Sequence, residues 1–420
     1  MDYRDRDYKD YNAVYDAFSE ISAGLETEAM RITDTHEHLR PDDFYQDIDL
    51  EKVLKNSYVD WCGVELKGSD RAARAQFLEK VRVNSYFRWL LRSLQQLYGF
   101  EGELTADNWD EISARIRAAH ADPGWKFKVL TEKCRIGRAI LDAYWDPGND
   151  NGHPEIFSPT FRINMFLFGY SRKAVDHNGN SPFRLAERYG FGISDFESYL
   201  AFIDFAIRKA REGGAVALKS ALAYDRGLHF DYVARDRAAK VFEMDDTSIS
   251  PCDEKAFGDY IFHFICEKAA EYGLPLQCHT GLGKIWGSNP MNLVPVIERH
   301  PETRFVLFHG GYPWFHECGG LAHNYKNVYL DLVWLPLISP SAARMALSEW
   351  LEVAQTIDRI SWGGDTWTVE ECFGAVIAAK HVIAQALADK VVDGYFDLEI
   401  AIDVAKRILR VNAEELYRLA

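Results

Sequence analysis

Short apolar runs of strand length alternate with helix-patterned stretches along most of the chain, and this alternation restricts the fold more than any other sequence feature. Runs with the length and pattern of strands lie at about 31–35, 138–143, 161–168, 215–219, 275–279, 304–309, 327–331 and 359–363. From the third strand onward, helical patterns fill the gaps, as at 195–211, 253–272, 290–300, 339–355 and 369–388. Strands that alternate with helices run parallel through right-handed crossovers, and eight of them close into a barrel. We therefore predict an α/β fold, a TIM (β/α)8 barrel.

The gap between the first two predicted strands, 36–137, is much longer than a simple crossover needs. Helical patterns at 71–98, 106–120 and 124–134 fill it, so we predict a helical insertion over residues 40–135 between strands 1 and 2. This insertion would act as a lid. Alternatively, it would serve in packing or in contacts between subunits. A leading helix is expected within 1–30 and closing helices within 398–420. Because no repeat or linker interrupts the pattern, we expect a single barrel domain over residues 1–420.

Charge and cysteine content exclude several classes of protein. Acidic residues outnumber basic ones by 64 to 48, and the net charge of −16 argues against a nucleic-acid partner. The seven cysteines are odd in number and contain no CxxC pair, which favours a reducing compartment. The N-terminal stretch lacks an apolar signal segment, and we find no membrane-spanning window, so no membrane partner is expected. The chain is therefore expected to be cytoplasmic, with homo-oligomerisation left open.

The first predicted strand ends in the sequence Asp34-Thr35-His36-Glu37-His38. Side chains alternate faces along a strand, so His36 and His38 point the same way and Glu37 points away. Two imidazoles spaced in this way can bind one divalent cation at the end of a barrel strand. The HxH pattern alone is weak, because solvated or buried histidines also produce it.

Three other strand ends strengthen the case for a metal site. The fifth ends at His279, the sixth at His309 and the eighth at Asp365, and glycines stand close to all three. TIM-barrel sites are built at the C-terminal ends of strands, where glycines allow sharp turns. Imidazoles with one carboxylate are ligands that suit zinc or a similar divalent ion. The sequence thus predicts a metal site.

This ordered series of residues resembles the amidohydrolase superfamily, in its branch of predicted metal-dependent hydrolases. The resemblance covers most of residues 31–370 and leaves out the helical insertion and both termini. It implies that His36, His38, His279 and Asp365 are metal ligands. It further implies that His309 either binds a second metal or orients the substrate.

Lys219, which closes the fourth predicted strand, bears on the number of metals. In binuclear members of the superfamily a lysine at this place carries a carbamate that bridges two metal ions. We favour this interpretation, a carbamylated Lys219. The alternative is a cationic Lys219 that binds a substrate carboxylate, as in mononuclear decarboxylase-like and isomerase-like members. The resemblance therefore implies one or two divalent ions, zinc being expected, with carbamylated Lys219 if there are two.

Several further residues are candidates for substrate binding. Tyr224 and Arg226 belong to a stretch that resembles a Lys-Ser-x-x-x-Tyr-Arg-x-Gly-Leu pattern of part of this branch, with Asp225 inserted. Trp286, Trp314 and Trp367 follow strand ends and predict an aromatic-lined pocket. These five residues complete the predicted site.

The favoured reaction is hydrolysis of an amide or related C–N or C–O bond in a small molecule, a bond class taken from the resemblance alone. A metal-activated water would attack the bond, with Asp365 as ligand and base and His309 assisting. The alternative is a mononuclear metal-dependent decarboxylase or a uronate-isomerase-like enzyme with the same ligands. A non-catalytic metal-binding protein would not need Lys219 and Asp365 together.

Overall fold

Eight parallel strands form one nearly closed sheet, and their order in the sheet follows their order in the chain. The computed structural model describes residues 11–27 and 29–419. The strands are β1 (Ile32–Glu37), β2 (Ile136–Leu141), β3 (Phe157–Arg162), β4 (Ala217–Ser220), β5 (Leu276–Cys278), β6 (Phe305–Leu307), β7 (Val328–Asp331) and β8 (Ile360–Ser361). The predicted TIM barrel is confirmed.

Helices precede, separate and follow the strands. Before β2 lie α1 (Tyr11–Leu25), α2 (Leu50–Lys55), α3 (Arg71–Val81), α4 (Ser85–Tyr98), α5 (Trp109–His120) and α6 (Trp125–Lys128). Between β3 and β7 lie α7 (Pro182–Tyr189), α8 (Phe196–Glu212), α9 (Arg235–Phe242), α10 (Pro251–Tyr272), α11 (Val294–Arg299) and α12 (Phe315–Asn324). After β7 lie α13 (Leu335–Ile338), α14 (Pro340–Val353), α15 (Val369–Val392), α16 (Leu398–Lys406) and α17 (Asn412–Tyr417). Helices α2 to α6 form the predicted insertion; the part of the leading helix predicted within residues 1–10 lies outside the described residues.

One strand differs clearly from its predicted position. We expected the third strand at 161–168, but β3 ends at Arg162 and a 3-10 helix follows over Asn164–Phe168. The true strand contains Pro159, a residue that usually marks a turn because it lacks a backbone donor. Here the Pro159 carbonyl instead accepts a hydrogen bond from the backbone N–H of Val216 at 3.0 Å.

The described residues divide into two compact units, each of which is discontinuous in the chain. The first unit comprises the described part of Met1–Ala139 together with Leu332–Glu352 and Ser361–Ala413. The second unit comprises Ile140–Asp331, Val353–Ile360 and the described part of Glu414–Ala420. The single domain expected over residues 1–420 stays a prediction.

Helix α15 is the central helix of the first unit, where α1 and α4 pack against it. By length and composition alone it is apolar enough to cross a membrane. However, 78% of its most apolar window is buried inside the protein, as is usual for a core helix.

The register of the second unit's sheet aligns the ends of three neighbouring strands. Ser220 at the end of β4 pairs with Cys278 on β5, and Cys278 pairs with Leu307 at the end of β6. The residues that follow these positions therefore leave the sheet at the same level. This alignment places Lys219, His279 and His309 near one another.

Candidate metal centre

The first unit brings together three of the predicted ligands. His36 lies at the end of β1, His38 directly follows that strand, and both imidazoles are buried, with ring centroids 4.8 Å apart. The Asp365 Oδ1 atom, from the loop after β8, lies 3.1 Å from His38 Nε2 and 3.7 Å from His36 Nε2. Two imidazole nitrogens and a carboxylate oxygen thus form one buried cluster.

Backbone hydrogen bonds fix Asp365 beside β1. The Asp365 N–H donates to the His36 carbonyl at 2.7 Å, and the His38 N–H donates to the Thr366 carbonyl at 2.9 Å. Asp365 has a φ of +63°, a left-handed conformation that is uncommon for residues other than glycine. The three ligands therefore depend on a turn whose path is set by its contact with β1.

Two glycines before Asp365 permit this close approach. A Cβ atom added at Gly363 would lie 2.6 Å from Thr35 Oγ1, and one added at Gly364 would collide with the Glu37 carboxyl group. Because Glu37 and Thr35 are themselves buried on β1, neither can move away cheaply.

We therefore expect Gly364→Ala to destabilise the protein, lowering the free energy of unfolding by about 1–3 kcal/mol through overpacking. Chemical denaturation measures this change. Gly320→Ala is the matched control, because Gly320 lies in α12 and an added Cβ meets nothing within 4 Å. Equal stability of the Gly364 and Gly320 variants would contradict the steric argument.

Two carboxyl groups behind the ligands also hold the turn, although the sequence did not single them out as functional. The Asp34 Oδ1 atom accepts hydrogen bonds from the backbone N–H groups of His36 and Gly364, both at 3.0 Å. The Glu37 Oε2 atom accepts from the N–H and hydroxyl of Thr366 at 2.7 and 2.6 Å. Burial raises the pKa of Glu37 well above its ordinary value, and nearby acidic groups add to the rise.

Five aromatic side chains of the first unit form a group that we call the aromatic wall: Tyr58, Trp61, Tyr86, Trp334 and Trp367. The Trp367 ring stacks on the imidazole of His38, with centroids 5.7 Å apart and planes 22° apart. Tyr58 packs between Trp367 and Trp334, at centroid distances of 4.8 and 4.5 Å. The wall joins the helical insertion to a predicted metal ligand.

Two glutamates in the first turn of α15 attach the insertion to this region. Glu371 accepts a hydrogen bond from the Tyr58 N–H at 2.6 Å, and burial raises the pKa of its carboxyl group to about 8. Glu370 Oε1 lies 2.6 Å from the Tyr98 hydroxyl, which donates to it, and 2.7 Å from His120 Nε2. No sequence pattern predicts these contacts, because their partners lie far apart in the chain.

In the second unit, His279 and His309 contact each other directly. His309 Nε2 lies 2.8 Å from His279 Nδ1, and His279 Nε2 lies 2.5 Å from the Leu282 carbonyl. Since a carbonyl can only accept, His279 Nε2 carries a proton and its Nδ1 accepts from His309. Burial lowers the pKa of His279 well below its ordinary value, and the charge of Lys219 lowers it further. Both effects favour the neutral form of His279.

Lys219 is 2% exposed and lies close to an aromatic ring. Its Nζ atom is 3.8 Å from the centroid of the Phe308 ring, which follows β6. The face of an aromatic ring is electron-rich and attracts a cation. The same face would repel the two oxygens of a carbamate anion, so this contact favours a positively charged Lys219.

The predicted substrate-binding residues have different surroundings. Tyr224 packs on His279, with ring centroids 4.5 Å apart, whereas Arg226 forms an ion pair with Asp259. Trp286 is 76% exposed beside Gly227, and with Arg226 it lines a cavity of about 380 Å³. Trp314 is partly exposed at the start of α12. Trp367, in the first unit, contacts a predicted ligand.

The donor set of the first unit suits a divalent metal ion. The ligand atoms are two imidazole nitrogens, from His36 and His38, and one carboxylate oxygen, from Asp365, and all three residues are buried. Both Nε2 atoms lie within 4 Å of Asp365 Oδ1. Borderline cations such as zinc prefer this combination of imidazole nitrogens and carboxylate oxygen. These residues therefore fit the metal that the barrel and its strand-end histidines imply.

The barrel and this buried cluster define a metal-dependent TIM-barrel enzyme. A profile of the amidohydrolase family matches residues 201–419, and the chain belongs to this family. Protein fluG of Emericella nidulans is 37% identical over 347 residues, a match that covers 75% of this chain and 39% of that protein. Uronate isomerase of Streptococcus equi subsp. equi is 24% identical over 281 residues, covering 60% of this chain and 58% of that protein.

The chain thus matches less than two thirds of the length of these two relatives. Among solved structures, glucuronate isomerase from Caulobacter crescentus matches with a TM-score of 0.77 at 18% identity. That match covers 100% of this chain and 97% of the other, and it shows the shared fold.

These comparisons overturn our prediction of a hydrolase. The streptococcal relative is a uronate isomerase, and the solved structure with the shared fold is a glucuronate isomerase. Ligands at strand ends cannot distinguish the two reactions, because the same imidazoles and carboxylate can hold a metal for either one. The alternative that we kept, a uronate-isomerase-like enzyme, agrees better with these findings.

Proposed function

We propose that this protein is a metal-dependent isomerase that acts on a uronate or a closely similar sugar acid. A uronate combines a carbonyl group, hydroxyl groups and a carboxylate. The names of the relatives support the reaction class, and the surroundings of Lys219 support a substrate that carries a negative charge. The observation that carries the proposal is the buried Lys219 side chain, whose Nζ atom lies 3.8 Å from the centroid of the Phe308 ring.

His36, His38 and Asp365 would hold the metal, for which zinc is the first candidate. A bound divalent ion would polarise a carbonyl or hydroxyl oxygen of the substrate. Asp365 would accept and return a proton. His279 stays a ligand predicted from the family resemblance. To bind a metal through Nε2 it would exchange its bond to the Leu282 carbonyl for the metal, while His309 would orient the ring through Nδ1.

Trp367 and Tyr224 are proposed to contact the sugar. Trp367 stacks on His38, and Tyr224 packs on His279, so each ring borders a predicted ligand. Aromatic rings offer large contact area at low cost in conformational freedom. Arg226, Trp286 and Trp314 stay predicted substrate-binding residues, although the Arg226 charge is already paired with Asp259.

Incubation of the metal-loaded protein with D-glucuronate and D-galacturonate tests the proposal. We expect conversion of at least one sugar acid into an isomer of the same mass, followed by proton NMR and mass spectrometry. Release of carbon dioxide would instead identify a decarboxylase. Unchanged sugar acids at high enzyme concentration and full metal occupancy would overturn the proposed function.

Lys219→Ala should weaken substrate binding without loss of metal. A hydrogen-bonded charge pair contributes about 1.5–3 kcal/mol, so the KM for the active sugar acid should rise by about 10–150-fold. Steady-state kinetics with metal analysis on the same samples measures both quantities. Lys173→Met is the control, because the Lys173 side chain is 90% exposed. Loss of metal from Lys219→Ala, restored by added formate, would instead show a bridging carbamate.

A further inference from the structure

A histidine outside the predicted site is oriented by a carboxylate that directly follows Tyr224. His177 lies in the loop between β3 and α7. The Asp225 Oδ2 atom lies 2.9 Å from His177 Nδ1, and Asp225 Oδ1 accepts a hydrogen bond from the His177 backbone N–H, also at 2.9 Å. One carboxylate therefore fixes both the ring and the backbone of this histidine.

Asp225 is itself held firmly. The Asn164 amide donates to Asp225 Oδ2 at 2.6 Å, while the Asn164 Oδ1 atom accepts from the Ala221 N–H at 2.8 Å. Lys284 Nζ donates to the Asp225 carbonyl at 2.5 Å. The Asp225 side chain is only 5% exposed, so the orienting carboxylate is rigid and largely shielded from water.

The loop that carries His177 is also fixed from the other side. The Asp176 Oδ1 atom accepts hydrogen bonds from the backbone N–H groups of Asn178 and Asn180 at 2.9 and 2.8 Å. Arg162 Nη1, from the end of β3, donates to the Asn178 side chain at 2.7 Å. The turn that carries His177 is therefore closed by its own hydrogen bonds, and Arg162 connects it to β3.

The second ring nitrogen of His177, Nε2, is accessible. Because Nδ1 donates to the carboxylate, the neutral ring carries its lone pair on Nε2. Among residues 11–27 and 29–419, none forms a hydrogen bond with that nitrogen, and the side chain is 25% exposed. The ring lies 5.3 Å from that of Tyr224, which in turn lies 4.5 Å from that of His279.

We propose that His177 transfers the carbon-bound proton in the isomerisation, and that Asp225 is its positioning residue. A base held by hydrogen bond to a buried third group is a recurring catalytic arrangement. This inference rests on the proposed function and adds a catalytic residue to it. No local sequence pattern predicts a role for His177, because its partner Asp225 lies 48 residues away in the chain.

The proposed step balances without any oxidant or reductant. His177 Nε2 takes the proton from the hydroxyl-bearing carbon beside the aldehyde, and the freed electron pair forms the carbon–carbon double bond of an enediol. The aldehyde oxygen gains a proton as its π bond breaks, and Asp365 would supply that proton. Nε2 then returns its proton to the former aldehyde carbon, while the neighbouring hydroxyl loses its proton to Asp365 and becomes the ketone.

The test compares His177→Ala with the wild-type metal-loaded protein on the sugar acid that the latter converts. We expect kcat to fall by about 10²–10⁴-fold, the usual contribution of a general base, with KM within about threefold and metal content unchanged. Added imidazole should restore part of kcat, since the vacated position is open to water. His153→Ala is the matched control, because His153 also pairs with a carboxylate, Glu155, at 3.2 Å.

Retention of kcat within a few-fold in His177→Ala would overturn the proposal. A lower kcat that imidazole does not restore, together with a lower melting temperature, would also overturn it, because the role would then be structural. Asp225→Asn provides a second variant that keeps the shape of the side chain. It should lower kcat by about 10-fold or more while His177 remains in place.

A measurement that needs no substrate separates this inference from the proposed function. In ¹⁵N-histidine NMR of the whole protein, His177 should carry its proton on Nδ1 in the wild type and lose that preference in Asp225→Asn. A protein inert toward sugar acids that still shows this tautomer would refute the proposed function but not the positioning of His177 by Asp225. A wild-type His177 protonated on Nε2 would refute the base assignment whatever the protein converts.

Discussion

Replacement of His36 and His38 together by alanine should leave the purified protein with less than ~0.1 equivalents of divalent metal. Both imidazoles belong to the buried cluster around Asp365, and the double change leaves one carboxylate of the three first-unit ligands. A single carboxylate binds a borderline cation weakly, because most of the affinity comes from the nitrogen donors. Elemental analysis by mass spectrometry after gel filtration measures the loss.

The matched control is the double variant His316→Ala with His323→Ala. Both of these histidines lie on α12 and are exposed, so their removal should leave the metal content at about one equivalent or more. Circular dichroism of both double variants checks that the fold persists. Full metal occupancy in the His36 and His38 variant would refute the proposed metal centre.

Asp365→Asn should reduce turnover by about 10²–10⁴-fold while lowering metal content much less. Asparagine keeps a ligand oxygen but cannot accept a proton. It also tolerates the left-handed backbone at this position, where φ is +63°, so the turn should keep its shape. Parallel measurements of kcat, metal content and melting temperature distinguish loss of chemistry from loss of structure.

Asp358→Asn serves as the control, because Asp358 is an exposed residue in the turn before β8. If Asp365→Asn kept kcat within a few-fold of the wild type, Asp365 would be a structural residue. Loss of metal in proportion to activity would show that it acts only as a ligand. Either result would remove Asp365 from the proposed proton transfers.

The sequence predicts the barrel well because the signal is local and repeated. Several buried strands, such as β6, lie in apolar runs, and the histidines at 36, 38, 279 and 309 follow from period-two alternation and strand ends. The error at β3 has a local cause as well, since Pro159 interrupts the pattern of a strand that is nevertheless paired. The cluster of His36, His38 and Asp365 was therefore accessible to sequence reasoning.

Other features depend on contacts that no local pattern reveals. The charge state favoured for Lys219 depends on Phe308, a residue on a different strand end, 89 positions away. The pairing of Glu371 with the Tyr58 N–H joins positions 313 residues apart. The reaction type could likewise not be predicted from local sequence patterns, since the same ligands serve hydrolases and isomerases.

The first turn of α15 has a consequence for recombination between related enzymes. Glu370 and Glu371 bond to Tyr98, His120 and the backbone of Tyr58, and all three partners lie in the segment between β1 and β2. A chimera that exchanged this segment alone would lose the Tyr98 and His120 side chains that bond to the buried Glu370 carboxyl group, and it would alter the backbone that bonds to Glu371. The transferable module is therefore the segment together with residues 367–371. Within the family, sequence changes in these two distant stretches should accordingly occur together.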